Sequence, residues 1–394
     1  MPTPDSGAAD AYEAPPLTDP EPEVALGVTR RILSAAVALL FGAAPGTSPA
    51  QSRQAALDTA LAPAIRAYAR EHGFSGAVLV ERRGRTVFRG DFGLADRAFD
   101  VPVARDTRFW VASITKAFTA ALVLQLADEG KLDLRAPIRR YLPDYAGAGA
   151  DRVTVHQLLN HTSGLGQFDR VASYEEAVAK GMEVYQLPHA PAELLARYAS
   201  GPVAQEPGTA FDYNNADYIV LGAIVERVTG ASYEEALRRR ILAPLGLRAT
   251  GVLRAQAIVP RLAPTYMRAD SAAPLLRDLP VYPENWWAAG AMYSTADDLL
   301  AFARALYGGR LLRPTTLQAM LTPGRGEYGY GLWVATQDIA GAKHRYVQRP
   351  GRIMGANVLL LRYPDDDLTV VVLGNTNVAD TDAFGYFIGR TVIR

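Results

Sequence analysis

Ser113 and Lys116 stand three residues apart in the stretch Val111-Ala112-Ser113-Ile114-Thr115-Lys116-Ala117-Phe118-Thr119-Ala120. The alanines and leucines that follow favour a helix, so the stretch reads as a helix start with Ser113 near its N-terminal end. Residues i and i+3 share a helix face, which lets the hydroxyl and the ammonium touch. A serine hydroxyl is a poor nucleophile until a neighbour takes its proton. A desolvated lysine near the positive end of a helix dipole has its pKa pushed down toward that task. The backbone N–H of Ser113 can also serve as half of an oxyanion hole. A Ser-x-x-Lys pair fixes only two positions in four, so it needs support from the rest of the chain.

A second constellation is Pro207-Gly208-Thr209-Ala210-Phe211-Asp212-Tyr213-Asn214-Asn215. The Pro-Gly turn and the helical pattern from Ile219 put Tyr213 and Asn215 on a loop at a helix start, a place suited to functional side chains. His161, in Asn160-His161-Thr162-Ser163-Gly164, invites a Ser-His reading, but no acidic residue that would orient it is apparent from the sequence, and it reads as structural. Gly73-Phe74-Ser75-Gly76-Ala77 falls short of a nucleophile elbow, because a strand follows where a helix is needed. The five histidines show no metal-binding spacing. Neither a metal nor a cofactor is expected. Cysteine is absent, which excludes thiol catalysis, disulfides and Cys-based metal sites.

The elements that must position these groups follow from the pattern along 394 residues. Apolar residues make up 49% and charged residues 21%, ordinary for a globular chain. The net charge is zero and no long basic run occurs, so nucleic acid is not expected as a partner. Residues 1–23 are rich in Pro, Asp, Glu and Ala and read as disordered. Thr29-Arg30-Arg31, an apolar run from Ile32 to Ala44 and the small residues to Ala50 follow the order of a secretory signal. The run is shorter than the roughly 20 residues of a membrane span, so export is expected, with membrane contact only through this segment if it stays uncleaved. An acidic extension upstream is unusual for such a signal, and a cytoplasmic location stays open.

A helix is expected over 54–72, a hairpin over 76–89, and a helix over 296–307 capped by Ser294 or Thr295. Strands are expected over 328–335, 343–348, 356–363 and 368–373, and a final helix over 380–394. Residues 166–205 read as mostly helical and polar. Trp286 and Trp287 suit either an acyl pocket or the core. Strands at both ends and helices between them predict an α+β chain, an α/β sandwich. One antiparallel sheet is flanked by helices, with an all-helical subdomain inserted. Residues 1–50 are expected to form a disordered leader with the signal-like apolar segment, and 51–394 the folded unit. Its sheet parts lie at about 51–112 and 285–394, and the mainly helical insert at about 113–284.

Ser113-Ile-Thr-Lys116, Leu158-Leu-Asn-His-Thr-Ser-Gly-Leu165 and Pro207-Gly-Thr…Tyr213-Asn-Asn215 together resemble the serine β-lactamase/penicillin-binding protein superfamily. The class C β-lactamase and esterase branch is most similar. The resemblance continues through Ala289–Asp298, Tyr328–Trp333 and Val358–Asp365 and covers about residues 55–394. It implies the β-lactamase/transpeptidase-like fold, Ser113 as nucleophile, Lys116 as its partner and Tyr213 as general base. It also implies that Asn215 orients the substrate and Lys116. The third family motif is Lys-Thr-Gly or His-x-Gly, and the aligned segment here is Gln348-Arg349-Pro350-Gly351-Arg352. Arg349 keeps the charge but cannot shuttle a proton, so it either lowers the tyrosine pKa or grips an anionic substrate group. The backbone N–H of Arg352, just after Gly351, would complete the oxyanion hole.

The chemistry expected is that of a serine hydrolase forming an acyl-enzyme on Ser113. The substrate is a small ester or amide, with an ester favoured because the third motif departs from the lysine that holds a β-lactam or peptide carboxylate. A β-lactamase or D-Ala-D-Ala carboxypeptidase is the enzymatic alternative. A slow-acylating penicillin-binding sensor without turnover is the non-enzymatic one. The oligomeric state is not legible.

Overall fold

The computed structural model describes residues 49–169, 176 and 181–394. Residues 1–48, all but the last two of the expected leader and signal-like segment, lie outside the described residues.

The centre is a six-stranded, wholly antiparallel sheet. Its strands are β1 (Gly76–Arg82), β2 (Arg85–Phe92), β3 (Trp333–Ile339), β4 (Ala342–Ile353), β5 (Ala356–Tyr363) and β6 (Leu368–Gly374). The spatial order is β3-β4-β5-β6-β1-β2. The two ends of the chain meet where β1 pairs with β6, Val78 opposite Val372 and Val80 opposite Val370.

Side chains on a strand alternate between faces. Val78, Val80, Leu359, Leu361, Val370 and Val372 face one apolar cluster, with Ile65 of helix α1 (Pro49–Glu71) and Phe384 and Ile388 of the C-terminal helix. Ala77, Leu79, Val358, Leu360, Val371 and Leu373 face the other cluster, beneath the helical region. Both faces are covered. That is why β5 and β6 read as unbroken apolar runs rather than alternating ones.

The second cluster is built around α2 (Thr115–Asp128) and α3 (Asn215–Thr229). Eleven of the fourteen residues of α2 are buried, Lys116 among them. A helix apolar around nearly its whole circumference belongs inside a core, and this one is covered by α3 and by residues 287–290. Helix α4 (Ala296–Tyr307) is capped by Thr295, whose side chain accepts from Asp298 N–H, and lies against β1 and β6. Helix α5 (Thr381–Ile393) starts on Asp380 and closes the chain against β5 and β6.

Among the described residues of the middle of the chain the regular elements are helices and three two-residue strands, Gly251–Val252, Tyr266–Met267 and Leu276–Arg277. The first joins Phe109–Trp110 and Met292–Ser294 in a small sheet, order 109–110, 292–294, 251–252. Over 166–205 the described residues hold helical segments at Glu183–Gln186 and, continuously, over 191–198, separated by irregular chain, and residues 170–175 and 177–180 lie outside the described residues. β3 starts at Trp333 rather than Tyr328. Gly331 at φ +80° turns the chain against the Lys116 carbonyl, 2.9 Å from where a Cβ would sit, and only then can the strand begin. β4 runs through Arg349 and Gly351 to Ile353, five residues beyond expectation.

Candidate active site

Ser113 sits on a tight turn, Ala112–Ile114, that runs directly into α2. Ala112 has φ +46°, a left-handed conformation that costs energy for a residue with a Cβ and is found where surroundings over-determine the backbone. The turn is pinned on both sides. Val111 N–H donates to Met292 O, Thr115 Oγ1 donates to Ala112 O, and Met292 N–H donates to Thr115 Oγ1.

One helical turn on, Lys116 is fully buried. Its Nζ donates to Asn215 Oδ1 at 2.6 Å, to Ala289 O at 2.9 Å and to Ser113 Oγ at 3.2 Å. Burial disfavours the ammonium most, with Arg349 adding to the effect, and the Lys116 pKa falls to about 8 although Tyr213 pulls it upward.

Tyr213 arrives on the loop before α3. Asn214 caps that helix by accepting from Ala216 N–H, and Asn215 opens its first turn. The Tyr213 hydroxyl lies 2.9 Å from Ser113 Oγ. Burial opposes ionisation of this phenol, but the Arg349 and Lys116 charges outweigh it and leave its pKa below the ordinary phenolic value.

Arg349, on β4, is 2% exposed. Its Nε donates to Ser113 O at 2.7 Å, Nη1 to the Tyr328 hydroxyl at 2.7 Å, and Nη2 to the Tyr213 hydroxyl. All three guanidinium nitrogens are therefore spent inside the protein. Trp333 closes the side, stacking on Tyr213 with ring centroids 5.6 Å apart and lying 5.0 Å from the Arg349 Cζ.

Two strand residues complete the group. A Cβ on Gly351 would stand 2.6 Å from Val111 O and 3.1 Å from Ser113 N, so only glycine lets β4 run this close to the serine turn. Arg352 follows it. Its guanidinium turns to Asp382 at 2.8 Å. Ser113, Tyr213, Trp333, Arg349, Pro350 and Arg352 line a cavity of about 120 Å³. Thus Ser113, Lys116, Tyr213, Asn215, Arg349, Gly351 and Arg352, which span 240 positions of sequence, lie together at the junction of α2, α3 and β4.

The resemblance extends beyond these residues. A family model described as Beta-lactamase matches residues 61–388. The chain belongs to the β-lactamase family. PbpX of Bacillus subtilis (strain 168) is 30% identical over 272 residues, which are 68% of this chain and 64% of PbpX. Esterase EstB of Burkholderia gladioli is 34% identical over 300 residues, 68% of this chain and 74% of EstB. The crystal structure of a D-stereospecific amidohydrolase from Streptomyces sp. superposes with a TM-score of 0.69 at 30% identity, covering 84% of this chain and 97% of that one. This chain thus spans about two thirds of the PbpX length and nearly all of the amidohydrolase. The antiparallel sheet with helices on both faces is the β-lactamase/transpeptidase-like fold of this family.

Several neighbours of the site escape sequence reading. Tyr328 holds the far side of Arg349. Asp169 accepts from Asn215 Nδ2 at 2.7 Å and from the Tyr185 hydroxyl. Asp217 lies 2.8 Å from His161 Nδ1, so the acidic partner that the sequence did not reveal is present, one helical turn after Tyr213. His161 does not reach Ser113, whose Oγ meets Lys116 and Tyr213. Trp286 stacks on Tyr185 at 3.5 Å between ring centroids and meets Trp110 edge-on, and Trp287 packs on Tyr233. Both tryptophans are core residues. Ser75 bonds to Leu94 O. Among the described residues, no three His, Asp or Glu side chains are placed to hold a metal ion, and no helix is long and apolar enough to cross a membrane.

Proposed function

We propose that this member of the β-lactamase family is a serine hydrolase that forms an acyl-enzyme on Ser113 and hydrolyses small neutral esters. The observation that carries the reading is the contact of the Ser113 hydroxyl with both Tyr213 and Lys116 at the floor of a small cavity. Ionised Tyr213, stabilised by Arg349 and Lys116, takes the Ser113 proton as Oγ attacks the substrate carbonyl. The backbone N–H groups of Ser113 and Arg352 receive the developing oxyanion. Tyr213 then hands the proton to the leaving alcohol. In the second half it takes a proton from the water that attacks the acyl-enzyme and returns it to Ser113 Oγ as the acyl–Oγ bond breaks and the acid leaves. Asn215, anchored by its Nδ2 on Asp169, holds Lys116 in place through its Oδ1.

Two features favour an ester over a carboxylate-bearing lactam or peptide. Arg349 is committed to Tyr213, Tyr328 and Ser113 O, and the Arg352 guanidinium is turned to Asp382. The cavity of about 120 Å³ is small beside the roughly 300–1,000 Å³ of a drug-sized site, which fits a short acyl group. The relatives named an esterase and an amidohydrolase support the ester and amide class. Export, carried by residues 29–50, is part of the same proposal and is tested by cell fractionation.

The deciding experiment is a series of p-nitrophenyl esters of increasing acyl length, run beside a fluorescent β-lactam. Fast turnover that falls off beyond short acyl chains is expected, with fluorophosphonate labelling lost in Ser113→Ala. Lasting β-lactam label without ester turnover would show a binder instead, and rapid loss of β-lactam with inert esters would show a lactamase.

A further inference from the structure

His161 takes no part in the chemistry above, yet it is tied to Tyr213 from both sides. Its backbone carbonyl accepts from Asp212 N–H at 2.9 Å, and its ring Nδ1 accepts from Asn214 N–H at 3.3 Å. Those two residues flank Tyr213. The ring also packs against Tyr213, 4.4 Å between centroids, and against Tyr328 at 4.9 Å. His161 reaches this position only through a left-handed backbone, φ +57°, which is rare for a residue with a Cβ. Thr162 O accepts from Gly208 N–H, and Asn214 Nδ2 donates to Leu165 O, so the turn at 161–165 is the bed on which the Tyr213 loop lies.

The same Nδ1 lies 2.8 Å from Asp217 Oδ2, and both side chains are fully buried. A ring nitrogen that accepts an N–H cannot itself carry a hydrogen there. On that tautomer the hydrogen shared with Asp217 comes from the carboxyl group, and Nδ1 receives it at 2.8 Å beside the longer Asn214 N–H contact at 3.3 Å. The other oxygen, Oδ1, accepts from the Ser163 hydroxyl, which in turn accepts from Leu165 N–H. We propose that His161 and Asp217 form a neutral pair, Asp217 donating its proton to His161 Nδ1, and that this pair positions Tyr213 for proton transfer. The positioning half rests on the reading of Tyr213 as the base.

The surroundings agree. Burial is the largest influence on both groups and favours the neutral form of each. Lys116 and Arg349 disfavour an imidazolium at His161. Toward Asp217, Asp212 disfavours ionisation, while the Ser163 bond and the Lys116 charge favour it more weakly than burial opposes it. The remaining titratable neighbours, Tyr145, Tyr213, Tyr218 and Tyr328, bring no cation to the pair. His161 Nε2 has no hydrogen-bond partner and the ring is walled by Phe211, Tyr213, Tyr218 and Tyr328. The neutral tautomer leaves an Nε2–H facing these rings, and an imidazolium would add to that the larger cost of a buried charge.

Two measurements test the proposal. Nitrogen-15 NMR of histidine-labelled protein, with His161 assigned by its loss in His161→Asn, should show Nδ1 unprotonated and Nε2 protonated from mildly acid to mildly alkaline pH. A protonated Nδ1 at neutral pH overturns the neutral pair. In kinetics, Asp217→Asn retains a donor for Nδ1 and an acceptor for Ser163. It should keep kcat/KM within about threefold and an unmoved pH profile, whereas Asp217→Leu should lose about tenfold or more in kcat at nearly constant KM. Equal losses in the two variants overturn the proposal. If Asp217→Leu fails to fold, the spectrum and Asp217→Asn still decide. If Tyr213→Phe turns over esters normally, the base assignment and the positioning role fall while the spectrum judges the neutral pair on its own.

Discussion

Arg349→Gln removes a positive charge that touches the Tyr213 hydroxyl from a site 2% exposed to solvent. Two unit charges about 4 Å apart interact by about 4 kcal/mol at an effective dielectric of about 20. Glutamine keeps an N–H donor and its smaller size admits water, so about half of that, ~2 kcal/mol, is the expected loss at Tyr213. At about 1.36 kcal/mol per tenfold, kcat/KM for a neutral ester should fall roughly 30-fold at pH 7. The sign follows from charge. The guanidinium favours the phenolate, so without it the Tyr213 proton is held more tightly and the basic form is scarcer at neutral pH. The pH–rate profile should move to higher pH, with activity recovering as pH rises. The assay is kcat/KM for p-nitrophenyl acetate across pH, in wild type, Arg349→Gln and Arg349→Lys. Lysine keeps the charge but loses the fork that reaches Tyr213 and Tyr328 together, so it should restore only part of the rate. A profile that stays in place for the neutral ester, with losses confined to KM for anionic esters, would refute this reasoning and make Arg349 a substrate anchor.

Tyr213→Phe and Lys116→Ala should each be severe and far from additive in the double variant, because both serve one proton on Ser113; losses that simply sum on a logarithmic scale would separate them. Gly351→Ala puts a Cβ 2.6 Å from Val111 O and 3.1 Å from Ser113 N. It should cost about 1–3 kcal/mol of stability in thermal melts and lower kcat by displacing the serine turn. Asp217→Asn should gain stability relative to wild type as pH rises from about 4 to about 7. The unfolded carboxyl releases its proton above about pH 3.9, and the folded one, its pKa raised well above the usual range by burial, must keep it, so wild type alone loses stability with rising pH. Melting temperatures across that window check this, and a gap that widens in favour of wild type would show an ionised Asp217.

Much of this site is legible in sequence because its geometry is local. Ser113 and Lys116 meet since a helix brings i and i+3 to one face, and the Pro-Gly turn before α3 puts Tyr213 at a helix start. The strand runs at 356–363 and 368–373 and the helix at 296–307 are likewise carried by local pattern and capping. What failed was also local in cause. Gly329 and Gly331 turn the chain before β3, so an apolar pattern from Tyr328 does not become a strand until Trp333.

The candidate groups were readable along the chain: one serine with a lysine a turn away, a loop tyrosine, and an arginine in place of the usual third-motif residue. What Arg349 touches and what His161 faces came only with the fold. Sequence left Arg349 open between a tyrosine and a substrate anion. Packing β4 against the serine turn aimed its fork at Tyr213, Tyr328 and Ser113 O. His161 and Asp217 stand 56 residues apart on different elements and become partners only when the 161–165 turn lies beneath α3. The physical reason is range. Propensity, capping and helical periodicity act over a few residues, while desolvation and charge pairing depend on which distant side chains share a buried space.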